Sequence, residues 1–110
     1  MAARNVNTKE FQELLKNKKP VLVDYWAPWC GYCRRIGPAY ELVAEQFGAE
    51  VEIVKINIDE EPDLAKSEQI EVIPTLVFYR DGKGIHSIEA PESKAKIEEF
   101  IWESMEKKEE

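Results

Sequence analysis

Apolar positions along this chain recur with two different periods. Asn7 followed by Glu10 has the form of a capping pair. Phe11, Leu14 and Leu15 behind it fall on one helical face. The pattern predicts a first helix ending near Lys19, ahead of Pro20. Val21 to Trp26 reads as a strand, apolar on both faces except at Asp24, which predicts a central position covered from both sides. Pro28 and Gly31 break the pattern into a loop. A helix follows with Ile36, Tyr40, Val43, Ala44 and Phe47 on one face and Pro38 inside it, where it should introduce a kink.

Val51 to Ile58 is a second strand. Strand, long helix and strand form a crossover unit, so these two strands should be parallel. Pro62 opens a short helix to about Ser67. Thr75–Tyr79 and Ile85–Glu89 are two further strands, and the Asp81-Gly82 turn between them predicts an antiparallel pair. A last helix from about Ser93 carries Ile97, Phe100, Ile101 and Met105 as a stripe that docks on the core. With Val6 as the start of an edge strand, the order α-β-α-β-α-β-β-α packs as an α/β sandwich around a mixed sheet.

Composition narrows the function more than the fold. The 110 residues fit one domain spanning 1–110, with a charged tail from about Glu106 expected to fray. The net charge is −7, and no basic run exceeds two or three residues, as at Lys18-Lys19 and Arg34-Arg35. This argues against nucleic acid as a partner. No apolar run approaches the roughly 18 residues of a membrane helix. The N-terminal residues lack the apolar core of a signal peptide, so the expected address is cytoplasmic. His86 is expected to point to solvent from a strand near the sheet edge.

Two cysteines remain, and they are close together: Cys30-Gly31-Tyr32-Cys33, where the first central strand gives way to a helix. This spacing can close a small disulfide ring. The helix N-terminus offers unpaired N–H groups and positive potential, which stabilise a thiolate. Thiols so placed ionise at pKa of about 3.5–7.5. Cys30, nearer the helix end, is the expected nucleophile, and Cys33 the resolving thiol. Tyr32, unlike a proline, keeps a backbone N–H that could reach the Cys30 sulfur. Zinc needs about four ligands, and only the distant His86 could join the pair. A c-type haem site needs a histidine where Arg34 stands. A purely structural disulfide would close too small a loop to stabilise much. Asp24 is conspicuous too: a carboxylate in a doubly covered strand is costly and should ionise late.

Val23 to Cys33 followed by Pro38, Lys55-Ile56-Asn57-Ile58-Asp59, and Ile73-Pro74-Thr75 together resemble the thioredoxin family, from about Thr8 to Trp102. The resemblance implies the thioredoxin fold, a central mixed β-sheet of four to five strands flanked by about four helices. It implies a thiol–disulfide oxidoreductase reducing protein disulfides through a redox-active Cys30–Cys33 pair, with no bound cofactor and no metal. It also implies a thioredoxin-reductase-like electron donor and a monomeric state. In this reading Asp24 lies behind Cys33 and moves its proton, with Lys55 as charge partner. The competing reading makes Asp24 a structural acid satisfied by Lys55. Trp29, Gly31, Tyr32, Ile73, Pro74 (cis), Thr75 and Ala90 would line the substrate groove, while Trp26 belongs to the core. Three places depart from the family's pattern: Tyr32 stands where a proline is usual, Ala90, followed by Pro91, stands where a glycine is usual, and Arg34-Arg35 puts two positive charges beside the cysteines. Alternatives are a disulfide oxidase or isomerase of the same fold, or a non-enzymatic partner-binding module.

Overall fold

A computed structural model describes residues 3–107. Five strands form one mixed sheet in the order β1-β3-β2-β4-β5. They are β1 (Arg4–Asn5), β2 (Val21–Trp26), β3 (Glu52–Asn57), β4 (Thr75–Arg80) and β5 (Lys83–Glu89). The helices are α1 (Thr8–Leu15), α2 (Gly31–Phe47), α3 (Pro62–Ser67) and α4 (Lys94–Glu106). β2 pairs parallel with β3 and antiparallel with β4, so it is central as its composition requires.

Strand alternation sorts β2 between two cores. Leu22 packs with Tyr40, Val43 and Phe47 of α2 and Ile97, Phe100 and Ile101 of α4. Val21, Val23 and Tyr25 pack on the other face with Phe11 and Leu14 of α1 and Leu64 of α3. Helices thus cover both faces, and each fully buried Leu, Ile or Val side chain contributes about 1.5–3 kcal/mol. Pro38 lies inside α2, where it offers no N–H to the preceding turn. At the β4–β5 turn Asp81 and Gly82 have φ of 53° and 80°, the paired positive values of a type I′ hairpin.

Three expectations need correction. α1 is closed at its start by a reciprocal Asn7–Glu10 capping box, but it ends at Leu15 rather than near Lys19. The Lys16 and Asn17 amides turn back to the Glu13 and Leu14 carbonyls, and the polar residues beyond have no apolar face to bury. The edge strand is Arg4–Asn5, with the Val6 N–H extending the ladder to the Lys55 carbonyl at 2.9 Å. His86 does not simply face solvent. Its ring stacks on Phe100 with centroids 4.6 Å apart, and Nδ1 lies 2.8 Å from the hydroxyl of the buried Ser104, because α4 reaches over the edge strand. Where the charged tail is expected, from about Glu106, α4 reaches its last residue, and the Arg80 guanidinium donates to the Ser104, Met105 and Lys107 carbonyls at its end. Residues 108–110 of that tail lie outside the described residues.

Candidate active site

β2 ends at Trp26, and the chain turns through Ala27, Pro28 and Trp29 into the start of α2. Cys30 is the N-cap of α2, and its sulfur accepts a hydrogen bond from the Cys33 N–H at 3.1 Å. A cap normally uses an oxygen for this task; here the sulfur satisfies one of the helix's unpaired donors. The expectation that the Tyr32 N–H would do so is corrected: in the first turn of a helix the N3 amide, that of Cys33, points back to the cap. Cys30 and Cys33 form a disulfide, their Cα atoms 5.3 Å apart. Both are largely buried, and the Arg34 guanidinium braces the loop by donating to the Pro28 carbonyl at 2.7 Å.

Asp24 is 2% exposed, and its Oδ1 has no hydrogen-bond partner. It lines a cleft of about 240 Å³ together with Trp26, Cys33, Arg34, Gly37, Tyr40 and Lys55. Burial pushes its carboxyl up to about 7, while the Lys55 ammonium pulls the other way. The two residues are register partners on β2 and β3, yet Lys55 does not satisfy the acid. Its ammonium instead lies over the Trp26 ring, 4.6 Å from the centroid. The Trp26 indole N–H donates to Asn5 Oδ1 at 2.8 Å, so the ring is held at the cleft and not sunk in the core. An aromatic closing an apolar strand gives no sign of this; only the pairing of β1 with β3 brings Asn5 within reach.

Around the sulfurs stand the other residues singled out in the sequence. Trp29 is 66% exposed, its indole N–H held by the Asp59 carboxylate at 2.9 and 3.2 Å. Sequence reasoning misses Asp59 as the partner that holds Trp29, since a charge just past a strand reads as ordinary surface. Gly31 is exposed, with open space where a Cβ would stand. The Ile73–Pro74 bond is cis, and the Ile73 carbonyl lies 3.9 Å from the Cys30 sulfur. Thr75 is buried, with its hydroxyl on the Val72 carbonyl and its backbone in register between Tyr25 and Glu89. Ala90 has φ 45°, the left-handed region, and its N–H donates to the Pro74 carbonyl at 2.8 Å. The Tyr32 hydroxyl donates to the Pro91 carbonyl at 2.7 Å.

The arrangement is a paired thiol at a helix start, backed by an unpaired acid that exchanges its proton near neutral pH. Such a site can carry dithiol–disulfide exchange. The Thioredoxin family model matches residues 2–103. A thioredoxin of Porphyra purpurea is 37% identical over 102 residues, covering 92% of this chain and 95% of its own length. Thioredoxin 1 of Synechococcus elongatus is 44% identical over 77 residues, 70% of this chain and 72% of that one. Among solved structures, Malassezia sympodialis thioredoxin superposes with a TM-score of 0.84 at 29% identity, covering 92% of this chain and 89% of that chain. The oxidized form of mitochondrial thioredoxin 3 from Saccharomyces cerevisiae gives 0.81 at 30% identity, with 93% and 95% covered. This chain belongs to the thioredoxin family, and its activity as a protein-disulfide reductase resides in its own pair of cysteines.

Proposed function

We propose that Cys30 is the attacking thiolate, Cys33 the resolving thiol and Asp24 the group that carries the Cys33 proton. One observation carries this reading: the Cys33 N–H donates to the Cys30 sulfur at the α2 N-terminus. A hydrogen bond and a helix dipole aimed at one sulfur favour its charge.

In the first step the Cys30 thiolate attacks one sulfur of a substrate disulfide. The substrate S–S bond breaks, its other sulfur leaves as a thiolate and takes a proton, and a mixed disulfide forms on Cys30. Cys33 then gives its proton to the Asp24 carboxylate and attacks the Cys30 sulfur. The second substrate sulfur leaves and is protonated in turn. The substrate has gained two electrons and two protons, and Cys30–Cys33 is a disulfide. Asp24 suits the transfer because both its forms are populated near neutral pH. The cleft it shares with Cys33 has room for a relaying water. Lys55 acts as its charge partner at a distance, moderating the acid without neutralising it.

Substrate approaches over Trp29, Gly31 and Tyr32 on one side and Ile73, Pro74, Thr75 and Ala90 on the other. The backbone at Ile73 precedes the β4 ladder and lies beside the reactive sulfur, which suits pairing with an extended segment. A thioredoxin-reductase-like dithiol donor returns the pair to its reduced form. The chain works as a monomer in the cytoplasm, without nucleic acid or membrane as partner. The net charge of −7 supports the exclusion of nucleic acid. No helix among the described residues is long and apolar enough to cross a membrane.

Mixed-disulfide trapping tests the assignment. Cys33→Ser removes only the resolving thiol and should hold insulin chains covalently on Cys30, visible on a non-reducing gel. Cys30→Ser should trap almost nothing. Equal trapping by the two variants would overturn the roles given to the two sulfurs.

A further inference from the structure

Two of the positions at which the sequence departs from the family it resembles, Tyr32 and Ala90, are brought near one another by the fold. Tyr32 is in the first turn of α2, and Ala90 is in the loop between β5 and α4. The Tyr32 hydroxyl donates to the carbonyl of Pro91, the residue after Ala90, across 59 positions of sequence. Pro91 itself is buried. Ala90 carries a methyl group in the left-handed region at φ 45°, a conformation that L side chains disfavour. Two ties hold it there: its own N–H on the Pro74 carbonyl at 2.8 Å, and the Tyr32 bond at 2.7 Å on the adjacent carbonyl. The helix start, the cis-proline turn and the β5–α4 loop are thereby joined around the Cys30 sulfur.

We propose that Tyr32 is a positioning residue for substrate specificity: through the Pro91 carbonyl it keeps Ala90 in its left-handed conformation and so pre-forms the groove wall that an extended polypeptide segment lies against. The proposal rests on the disulfide-exchange reading above and adds which substrates the site favours. A wall held in place in the free protein need not be ordered when substrate binds, and this lowers the cost of binding. A disulfide set in a polypeptide touches that wall; a small disulfide touches little beyond the sulfurs. Without the hydroxyl only the Ala90 N–H bond to Pro74 remains, and Ala90 relaxes more readily toward negative φ, carrying the loop with it. Glycine at the same position has no such tendency, so it would make the tie dispensable.

The test is a two-by-two set: the native chain, Tyr32→Phe, Ala90→Gly and the double variant. Each is assayed for reduction of insulin and of bis(2-hydroxyethyl) disulfide with a common dithiol reductant. Tyr32→Phe keeps the ring and loses only the bond, so folding is spared. Its KM for insulin should rise by about three- to tenfold, the scale of one hydrogen bond, with the loss falling on KM and not on kcat. The small disulfide should show a clearly smaller loss. In the Ala90→Gly background the insulin effect of Tyr32→Phe should shrink toward none. Equal effects in both backgrounds would overturn the coupling. Equal losses for both substrates would place the effect on the sulfurs and overturn the specificity role, as would no loss at all. Failure of the native chain to reduce either disulfide would instead count against the exchange reading itself.

Discussion

Asp24 and Tyr25 are neighbours on β2, and each buries a polar group, but on opposite faces of the sheet. On the α1/α3 face the Tyr25 hydroxyl meets that of Tyr79 at 2.6 Å, and Tyr79 donates to Glu68 Oε1 at 2.7 Å. Phe11 packs edge-on against Tyr79, with ring centroids 5.0 Å apart. On the α2/α4 face Asp24 Oδ1 has no partner, although a lysine stands in register beside it. Burial drives the two tyrosines well above their ordinary ionisation range, so they stay neutral and serve as fixed hydrogen-bond partners. The same burial leaves Asp24 titrating at about 7. Equal depth therefore has opposite consequences. A closed network strengthens the fold, whereas an unpaired acid weakens it and stays titratable in a cleft that Cys33 also lines.

The largest test of this contrast is Asp24→Asn. The folded pKa of Asp24 lies above its unfolded value, so the acid costs nothing below about pH 4. Its penalty then grows as pH rises to about 7 and is constant beyond. Each tenfold change in a carboxyl's acidity corresponds to about 1.4 kcal/mol, so the variant should exceed the native chain in stability by several kcal/mol at pH 8. The gap should narrow by a few kcal/mol at pH 5 in urea melts. Resolution of the mixed disulfide, followed by stopped flow, should slow by up to about 10²-fold, the lower end of what a positioned base contributes. A more stable variant with an unchanged rate would leave Asp24 without a chemical role.

The opposite face predicts the opposite result. Tyr79→Phe leaves the Tyr25 hydroxyl and Glu68 without their shared partner. It should lower stability by about 1–3 kcal/mol, the cost of stranding buried polar groups. Insulin reduction should persist at temperatures where the variant remains folded, because this network faces away from the cleft. Loss of activity in the folded variant would break the division between the two faces.

The parts legible in the sequence are those that local periodicity controls. The central strand, the buried stripe of α2, the Asn7–Glu10 cap and the Asp81-Gly82 turn each need only a few consecutive residues to declare themselves. The Cys30–Cys33 pair is legible because its spacing is itself local. What stays hidden depends on contacts between distant segments. Nothing near Trp26 announces that Asn5 will hold its indole, and nothing near His86 announces Ser104. Lys55 does stand opposite Asp24 in register, but the direction of its long side chain is set by the Trp26 ring. The Tyr32–Pro91 bond is hidden for the same reason: the sequence directs attention to the Tyr32 backbone, whereas the side chain makes the contact.

Lys55 offers the smallest test and the one most specific to the acid. Its ammonium is held over Trp26 by a cation–π contact, so it acts on Asp24 through space and without a hydrogen bond. Lys55→Met keeps an unbranched, flexible side chain against the Trp26 ring and removes only the charge. The Coulomb pull on Asp24 then disappears, while the burial that raises its pKa remains. The folded pKa of Asp24 should move above 7. The unfolded value should hardly change, because solvent screens the charge in the open chain. Stability measured against pH should then keep falling beyond the point where the native curve flattens, and the pH profile of mixed-disulfide resolution should shift the same way. The direction is fixed by sign: removing a positive charge cannot make a carboxylate easier to form. Repeating the substitution in Asp24→Asn isolates the interaction, since no acid remains to respond. The upward extension of the pH window should vanish in that background. If it persisted there, the titration would belong to another group, and the pairing of Lys55 with Asp24 would be wrong.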